Sequence, residues 1–231
     1  VGPTAHYVMG GVKVDPVTQE STVPRLFAAG EAATGLHGAN RLGGNSLSDL
    51  VCFGKRAGEF AARATKEIDG WEDVSQAEID DVVAETLAPL SRNGGENPAK
   101  VVADLREMMQ NKAGIIRSKT LLEEALKDLD ELSSRGDLTS PGGGKIYNPG
   151  WHQALEINAM VDISRMCTIA ALAREESRGG HTREDFPVPD HSHWGKVNSV
   201  IYMTADGSMK LEHRSYPEMS EELRALLDAS D

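Results

Sequence analysis

The spacing of apolar positions changes along the chain, and the changes mark its elements. The first 45 residues read as strands and tight loops: Val12 and Val14 alternate with polar neighbours ahead of the turn pair Asp15-Pro16. Val23-Pro24-Arg25-Leu26-Phe27-Ala28-Ala29-Gly30 is a short apolar run ending in glycine, which predicts a buried strand whose end meets a ligand. The glycine-rich stretch from Gly35 to Gly44 predicts a loop that lets a small molecule approach the backbone closely. A helical period then runs from Leu47 to about Ile68, with Asn45 and Ser46 both suited to cap its start. Leu47, Leu50, Val51, Gly54, Ala57, Gly58 and Ala61 share one face, where the small residues predict tight packing. Gly70-Trp71-Glu72-Asp73 breaks the pattern.

Three amphipathic segments follow, over residues 77–90, 98–113 and 118–132. Their apolar residues stand three and four apart: Val101, Val102, Leu105, Met108 and Met109 in the second, Leu121, Leu122, Ala125, Leu126, Leu129 and Leu132 in the third. An antiparallel helical bundle buries such faces. Residues 136–150, with Ser140-Pro141-Gly142-Gly143-Gly144, predict a flexible loop. A fourth helix is expected over 151–174. Leu155, Ile157, Met160, Val161, Ile163, Met166, Ile169 and Leu172 cover it almost all round, so its expected place is the centre of the bundle. Alternating segments at 197–204 and 209–216 flank Asp206-Gly207, a strong hairpin signal, and a short polar helix is expected from Glu218. The fold class is α+β: strands with one long helix over 1–70, a helical domain over 71–178, and a small C-terminal domain with a β-hairpin over 179–231.

A net charge of -12 and the lack of any block of Lys and Arg argue against nucleic acid, because phosphate recognition needs a concentrated basic surface. At 231 residues and 39% hydrophobic, the chain can bury a core as one large domain or two small ones. Cys52 and Cys167 lie far apart within helical patterns, with no second Cys or His at metal-ligand spacing. Neither a disulfide framework nor a metal site is expected, and a reducing cytosolic compartment is the plainer reading. No run of 18 apolar residues suggests a membrane span. Val1-Gly2-Pro3 shows no initiator Met or targeting segment, and the densest motifs follow at once, so a fragment or processed piece is expected.

Leu26-Phe27-Ala28-Ala29-Gly30-Glu31 resembles the late strand of two-dinucleotide-type flavoproteins, in which the acidic residue after glycine contacts FAD; alone it also fits a plain buried strand. Pro3-Thr4-Ala5-His6-Tyr7-Val8-Met9-Gly10-Gly11 lies upstream, and His37-Gly38-Ala39-Asn40-Arg41-Leu42-Gly43-Gly44-Asn45-Ser46-Leu47 lies downstream. That ordered trio resembles the flavoprotein subunit of succinate dehydrogenase and fumarate reductase. Glu176-Ser177-Arg178-Gly179-Gly180-His181-Thr182-Arg183-Glu184-Asp185-Phe186-Pro187 is similar to the family's motif after the helical domain. The resemblance covers nearly the whole chain, strongly at both ends and loosely over 75–150. L-aspartate oxidase shares the first two blocks but usually has Ala-Ser where this chain has Gly43-Gly44, which favours the succinate/fumarate branch.

The resemblance implies the C-terminal portion of such a subunit, with 1–70 as the end of the FAD-binding domain. It implies interconversion of succinate and fumarate by hydride transfer to or from FAD. Electrons would pass to an iron–sulfur subunit and a quinone-linked membrane anchor, at the cytoplasmic, inner face of the cell membrane. It assigns His6 and Arg41 to the dicarboxylate, and Glu31, Ser46 and Leu47 to FAD. The residue types suit these roles. Arginine presents a permanently charged fork that matches a carboxylate, and His6 can donate to the second carboxylate or polarise the bond being reduced. The amides and positive end of a helix start suit the electron-rich edge of a reduced flavin. Each residue also has a plainer reading: Arg41 as a solvated loop residue, His6 bonding a strand end, Glu31 capping a helix, Ser46 as an N-cap; His37 fits a structural loop residue or one that lines the site. Arg178, His181, Arg183, Glu184 and Asp185 fit a structural ion network better than catalysis, and the separate roles of Arg178, His181 and Arg183 are left open.

No G-x-G-x-x-G stands at a strand-to-helix turn, so the cradle for the FAD pyrophosphate is missing. The family's flavin-linking histidine and proton-transferring arginine are expected ahead of residue 1, and no catalytic residue is expected within the chain. The isolated chain is expected to fold in its helical part, to bind no FAD and to oxidise no succinate. Its first 65 residues are expected to be mobile, misdocked, or covered by a second copy in a concentration-dependent homodimer. The alternatives are a soluble relative, such as L-aspartate oxidase or a stand-alone fumarate reductase, and a non-catalytic interaction fragment.

Overall fold

A computed structural model describes residues 6–33, 35–70 and 73–228. The chain forms two compact units, Val1–Asn93 with Arg178–His181, and Gly94–Ser177 with Thr182–Asp231.

In the first unit the expected strands are reduced to single bridges: Val12 to Ala33 in parallel, Val14 to Ser21 and Glu20 to Phe27 antiparallel. Val23 and Leu26 are exposed, so the strand expected to be buried over 23–30 is not. A strand is held by a ladder to its neighbour and by cover on its faces, and the described residues supply only these bridges. The run ends in a 3-10 turn, Gly30–Ala32, packed on helix α1 (Asn45–Lys66). A side chain at position 30 would strike Leu50 Cδ2, since a Cβ there would lie 2.4 Å away.

Helix α1 begins differently from the expectation. Gly44, at φ 84°, is its N-cap without any side-chain capping bond, and Asn45 and Ser46 fall inside the first turn. Its inward face also differs. Asp49 is buried, and Phe53, Ala57, Phe60, Ala61 and Ala64 are half-buried, whereas Leu47 and Val51 are each 72% exposed. The helix carries two apolar stripes, and the one with the phenylalanines meets the rest of the unit. Trp71 and Glu72, in the expected break, lie outside the described residues, as do Val1 and Gly2 and the Pro3, Thr4 and Ala5 of the first motif. Helix α2 (Gln76–Ser91) starts with a capping box between Ser75 and Glu78. It belongs to this unit, with Ile79, Val82 and Val83 exposed, rather than to the bundle.

The second unit is built on helices α3 (Pro98–Lys112), α4 (Lys119–Asp137) and α5 (Pro149–Ala173). Asn97, Ser118 and Asn148 cap their starts through Ala99, Leu121 and Trp151 amides. The core joins Val101, Val102, Leu105 and Met108 to Leu129, Leu132, Ile157 and Val161. Ion pairs fix the directions: Lys112 at the end of α3 meets Glu124 and Asp128 early in α4, while Arg135 late in α4 meets Glu96 and Asp104. Asn158 and Arg165 of α5 reach back to Asp137 and Asp130. Successive helices therefore run antiparallel. The expected central place of α5 does not hold: Ile157 is 0% exposed, but Ile163 is 61% exposed. Helices α3 and α4 and the hairpin are its packing partners, and they cover one side only.

Strands β1 (Ile116–Arg117) and β2 (Thr182–Arg183) pair in parallel, and β3 (Val197–Met203) with β4 (Met209–Ser215) forms the expected hairpin. Helix α6 (Glu221–Asp228) follows. Arg183, 1% exposed, donates from Nη1 to the carbonyls of Ala171, Leu172 and Arg174 and stands 5.0 Å over the Phe186 ring. The fully buried Glu176 bonds Arg174 and accepts from the Asp190 amide at 2.8 Å. In this part of the C-terminal motif the ion network is structural.

Candidate functional site

The residues expected to touch substrate and cofactor all fall in the first unit. Arg41 stands on the loop between the 3-10 turn and α1, with its Cζ 4.6 Å from the centroid of the Tyr7 ring. Tyr7 follows the exposed His6, so a contact that neither motif announces sets the neighbour of one candidate substrate residue against the other. Arg41 Nη1 donates to the Leu42 carbonyl at 3.1 Å. Its Nε is buried and has no hydrogen-bond partner among the described residues. An unsatisfied buried N–H is costly, and a carboxylate oxygen is the partner it suits.

Behind Tyr7 lies Asp49, 5% exposed on the first turns of α1. Its Oδ2 stands 3.2 Å from His37 Nε2 and accepts from the Tyr7 hydroxyl at 3.4 Å. The His37 and Tyr7 rings meet edge to face at 5.3 Å. Burial, then the Asp49 and Glu31 carboxylates, raise the Tyr7 hydroxyl above its ordinary pKa, with Arg41 opposing. Glu31 Oε1 accepts from the Val8 amide at 3.0 Å, which ties the Tyr7 segment to the 3-10 turn.

Ser46 is half-buried and Leu47 exposed in the first turn of α1, which carries no acidic residue and no side-chain cap. A Cβ added at Gly43 or Gly44 would meet nothing within 4 Å, so there is room beside this helix start. The turn Arg178–His181 closes on itself by a β-bridge, and its Gly180 amide donates to the Ala39 carbonyl at 3.0 Å. Gly179 has φ +58°, and a Cβ there would lie 2.1 Å from Ala39 O. This turn therefore rests directly on the loop that carries His37 and Arg41. Sequence reasoning missed Asp49 because an acidic residue on a helix ordinarily faces water. It missed Tyr7 because an aromatic beside a motif histidine gives no signal until the guanidinium stacks on it. Among the described residues no group of His, Cys, Asp and Glu could hold a metal ion.

The family model described as fumarate reductase flavoprotein C-term matches residues 102–224, and one described as an FAD binding domain matches residues 1–47. One component of the fumarate reductase (CoM/CoB) of Methanothermobacter marburgensis is 40% identical over 193 residues, 81% of this chain and 34% of that protein. The fumarate reductase flavoprotein subunit of Mycobacterium tuberculosis is 35% identical over 219 residues, 91% of this chain and 37% of that one. Among solved structures, Mycobacterium smegmatis Sdh1 in complex with UQ1 matches with a TM-score of 0.90 at 40% identity, over 97% of this chain and 38% of that one. A quinol-fumarate reductase with menaquinol molecules matches with a TM-score of 0.83 at 33% identity, over 94% of this chain and 38% of that one. The chain thus spans between a third and two-fifths of the length of these relatives. It belongs to the family of fumarate reductase and succinate dehydrogenase flavoproteins and corresponds to their C-terminal part.

Proposed function

We propose that this chain is part of an FAD-dependent enzyme that interconverts succinate and fumarate, and that it supplies the dicarboxylate-binding wall. The observation that carries the reading is Arg41: a guanidinium braced on the Tyr7 ring, in a glycine-flanked loop, with a buried Nε that lacks a partner among the described residues. Arg41 holds one carboxylate of the substrate, and His6, beside Tyr7, holds the other. Residues 1–70 act as the end of the FAD-binding domain, 71–178 as a helical domain whose packed bundle begins after α2, at Gly94, and 179–231 as a small C-terminal domain.

The start of α1 fits one edge of FAD. It is uncapped, carries no acidic side chain and has open space at Gly43 and Gly44. Ser46 and Leu47 hold that edge, and Glu31 contacts FAD from the 3-10 turn packed on α1. FAD, when bound, supplies the two-electron redox chemistry; the chain's own residues orient the substrate and neutralise its charge. The exposed Leu47, Leu50 and Val51 stripe of α1 is the kind of apolar surface that further protein covers, in keeping with a larger subunit.

The proposed assembly passes electrons through an iron–sulfur subunit to a quinone-linked membrane anchor, with this chain peripheral at the inner face of the cell membrane. No helix among the described residues is long and apolar enough to cross a membrane. The M. marburgensis relative, named for CoM/CoB rather than a quinone, favours a second reading in which a different donor serves the same fumarate site. Quinol-dependent fumarate reduction by the enzyme that contains this chain, with co-purifying iron–sulfur signals, separates the two.

In that enzyme Arg41→Lys keeps the charge and loses the two-pronged geometry. Turnover of succinate is expected to fall by orders of magnitude with flavin content unchanged; near-wild-type turnover would sink the assignment. The 231-residue chain alone is expected to be inactive and to show no saturable quenching of flavin fluorescence at micromolar FAD.

A further inference from the structure

We propose that Asp49, Tyr7 and His37 act as one positioning unit for Arg41, setting the guanidinium before the dicarboxylate arrives. This inference rests on the proposed dicarboxylate role of Arg41 and adds three residues to it. The loop around Arg41 is poor at fixing a side chain, because Gly38, Gly43 and Gly44 offer no packing surface. An arginine left to itself would sample many rotamers, and ordering it would weaken substrate binding.

The structure supplies the missing support chiefly from outside the loop, through Tyr7 and Asp49, with His37 of the loop itself between them. The face of Tyr7 lies 4.6 Å from Arg41 Cζ, in the geometry by which an aromatic face attracts a cation. Tyr7 is itself held at two places. Its hydroxyl reaches Asp49 at 3.4 Å, a long bond that orients weakly, and its ring takes the edge of His37 at 5.3 Å. His37 is fixed by the shorter 3.2 Å contact to the same Asp49 oxygen. Asp49 sits on α1, the longest helix of the unit, with its side chain 6% exposed. A buried carboxylate engaged by both rings has little freedom to turn, so the order of support runs from helix to Asp49, to the two rings, to the guanidinium. The Leu42 carbonyl then takes Nη1, while the buried Nε has no partner among the described residues.

Three substitutions in the FAD-loaded enzyme test this, each read by KM for fumarate against kcat, with flavin content and melting temperature measured alongside. Tyr7→Phe keeps the ring face and should raise KM about threefold or less. Tyr7→Leu removes the face and should raise it at least about tenfold, as should Asp49→Leu, which releases both rings. In all three, kcat should fall less than KM rises, and bound flavin should stay at the wild-type level. A purely structural role would instead lower melting temperature or flavin content without ordering Phe below Leu. Should Asp49→Leu fail to fold, the Tyr7 pair still decides: equal KM values for Tyr7→Phe, Tyr7→Leu and wild type overturn the proposal. Arg41→Lys, run in parallel, separates the two levels. If it abolishes turnover while the Tyr7 variants are neutral, only the positioning unit fails. If Arg41→Lys is itself neutral, the dicarboxylate role fails with it.

Discussion

Arg183 and Asp185 meet through two parallel bonds of 2.7 Å, Nε to Oδ1 and Nη2 to Oδ2. The remaining nitrogen of the same guanidinium caps the last carbonyls of α5. Those carbonyls have no partner within the helix, and the helix end favours a cation. Asp185 also accepts from the Lys119 amide at 3.0 Å, at the start of α4. One buried arginine thus ties the end of α5, the β2 segment and the start of α4 together.

Replacing Arg183 should therefore be among the most damaging changes in the second unit. Arg183→Met leaves buried carbonyls and Asp185 without their partner, and the expected loss is about 3–5 kcal/mol, the range for breaking a buried pair. Arg183→Lys keeps the charge but cannot serve three carbonyls and a carboxylate at once, so it should fall between. Urea unfolding of the 231-residue chain measures both; an Arg183→Met midpoint equal to wild type would show that water replaces the cap.

The same pair predicts an acid transition. Asp185 is held down to about 2, chiefly by its bonds from Arg183 and next by the Lys119 amide, against an ordinary value of 3.8. Because the folded value is the lower one, the stabilisation is fully present above the unfolded pKa and is lost as pH falls through the folded value. Wild type should exceed Asp185→Asn in urea midpoint at pH 5, with the gap closing between about pH 4 and about pH 2. A gap independent of pH would mean the bonds act by shape rather than by charge.

The helices were legible because periodicity, caps and turn residues agree. Apolar spacings of three and four mark α3 and α4, and Asp206-Gly207 marks the hairpin. The start of α5 at Asn148-Pro149, a cap followed by a fixed proline torsion, lies inside the stretch expected to be a loop. The side of a helix that faces inward was less legible. Helix α1 has apolar residues on two stripes, and the choice between Leu47/Val51 and Phe53/Phe60 depends on what lies beside it. Arg41 and His6 stood out through motif context, whereas Asp49 and Tyr7 became visible only when residues 42 positions apart met in space. Burial of a carboxylate is a tertiary property, and no local pattern encodes it.

Helix α5 offers a direct test of which apolar residues are inside. Ile157 is fully buried in the core, whereas Ile163 is 61% exposed. Ile157→Asp should bury an unpaired carboxylate and cost several kcal/mol, on the order of 3–5, while Ile163→Asp should change stability by about 0.5 kcal/mol or less. Thermal melts of the two variants of the 231-residue chain decide it. A large loss at Ile163 would mean that this side of α5 is covered, for instance by a second copy of the chain.

The last prediction concerns the turn that rests on the Arg41 loop. Gly179 lies at φ +58°, where an alanine costs about 1 kcal/mol before any contact is counted. Its added Cβ would lie 2.1 Å from the carbonyl oxygen of Ala39, a backbone atom that cannot swing aside as a side chain would. Either the turn lifts or residues 37–41 shift, and both outcomes disturb the bond from the Gly180 amide to that same carbonyl. Ala39 is two residues from Arg41, so a displacement of even about 1 Å there should misplace the guanidinium, a size of error that can cost up to about a hundredfold in rate. Gly207 provides the control: it too has positive φ, at +81°, but nothing lies within 4 Å of an added Cβ. In the FAD-loaded enzyme Gly207→Ala should carry only the backbone cost, with KM for fumarate unchanged. Gly179→Ala should carry the same backbone cost and raise KM about tenfold or more, a difference that steady-state kinetics on the two variants resolves. Equal KM values for the two would show that the Arg178–His181 turn touches the substrate loop without holding it in place.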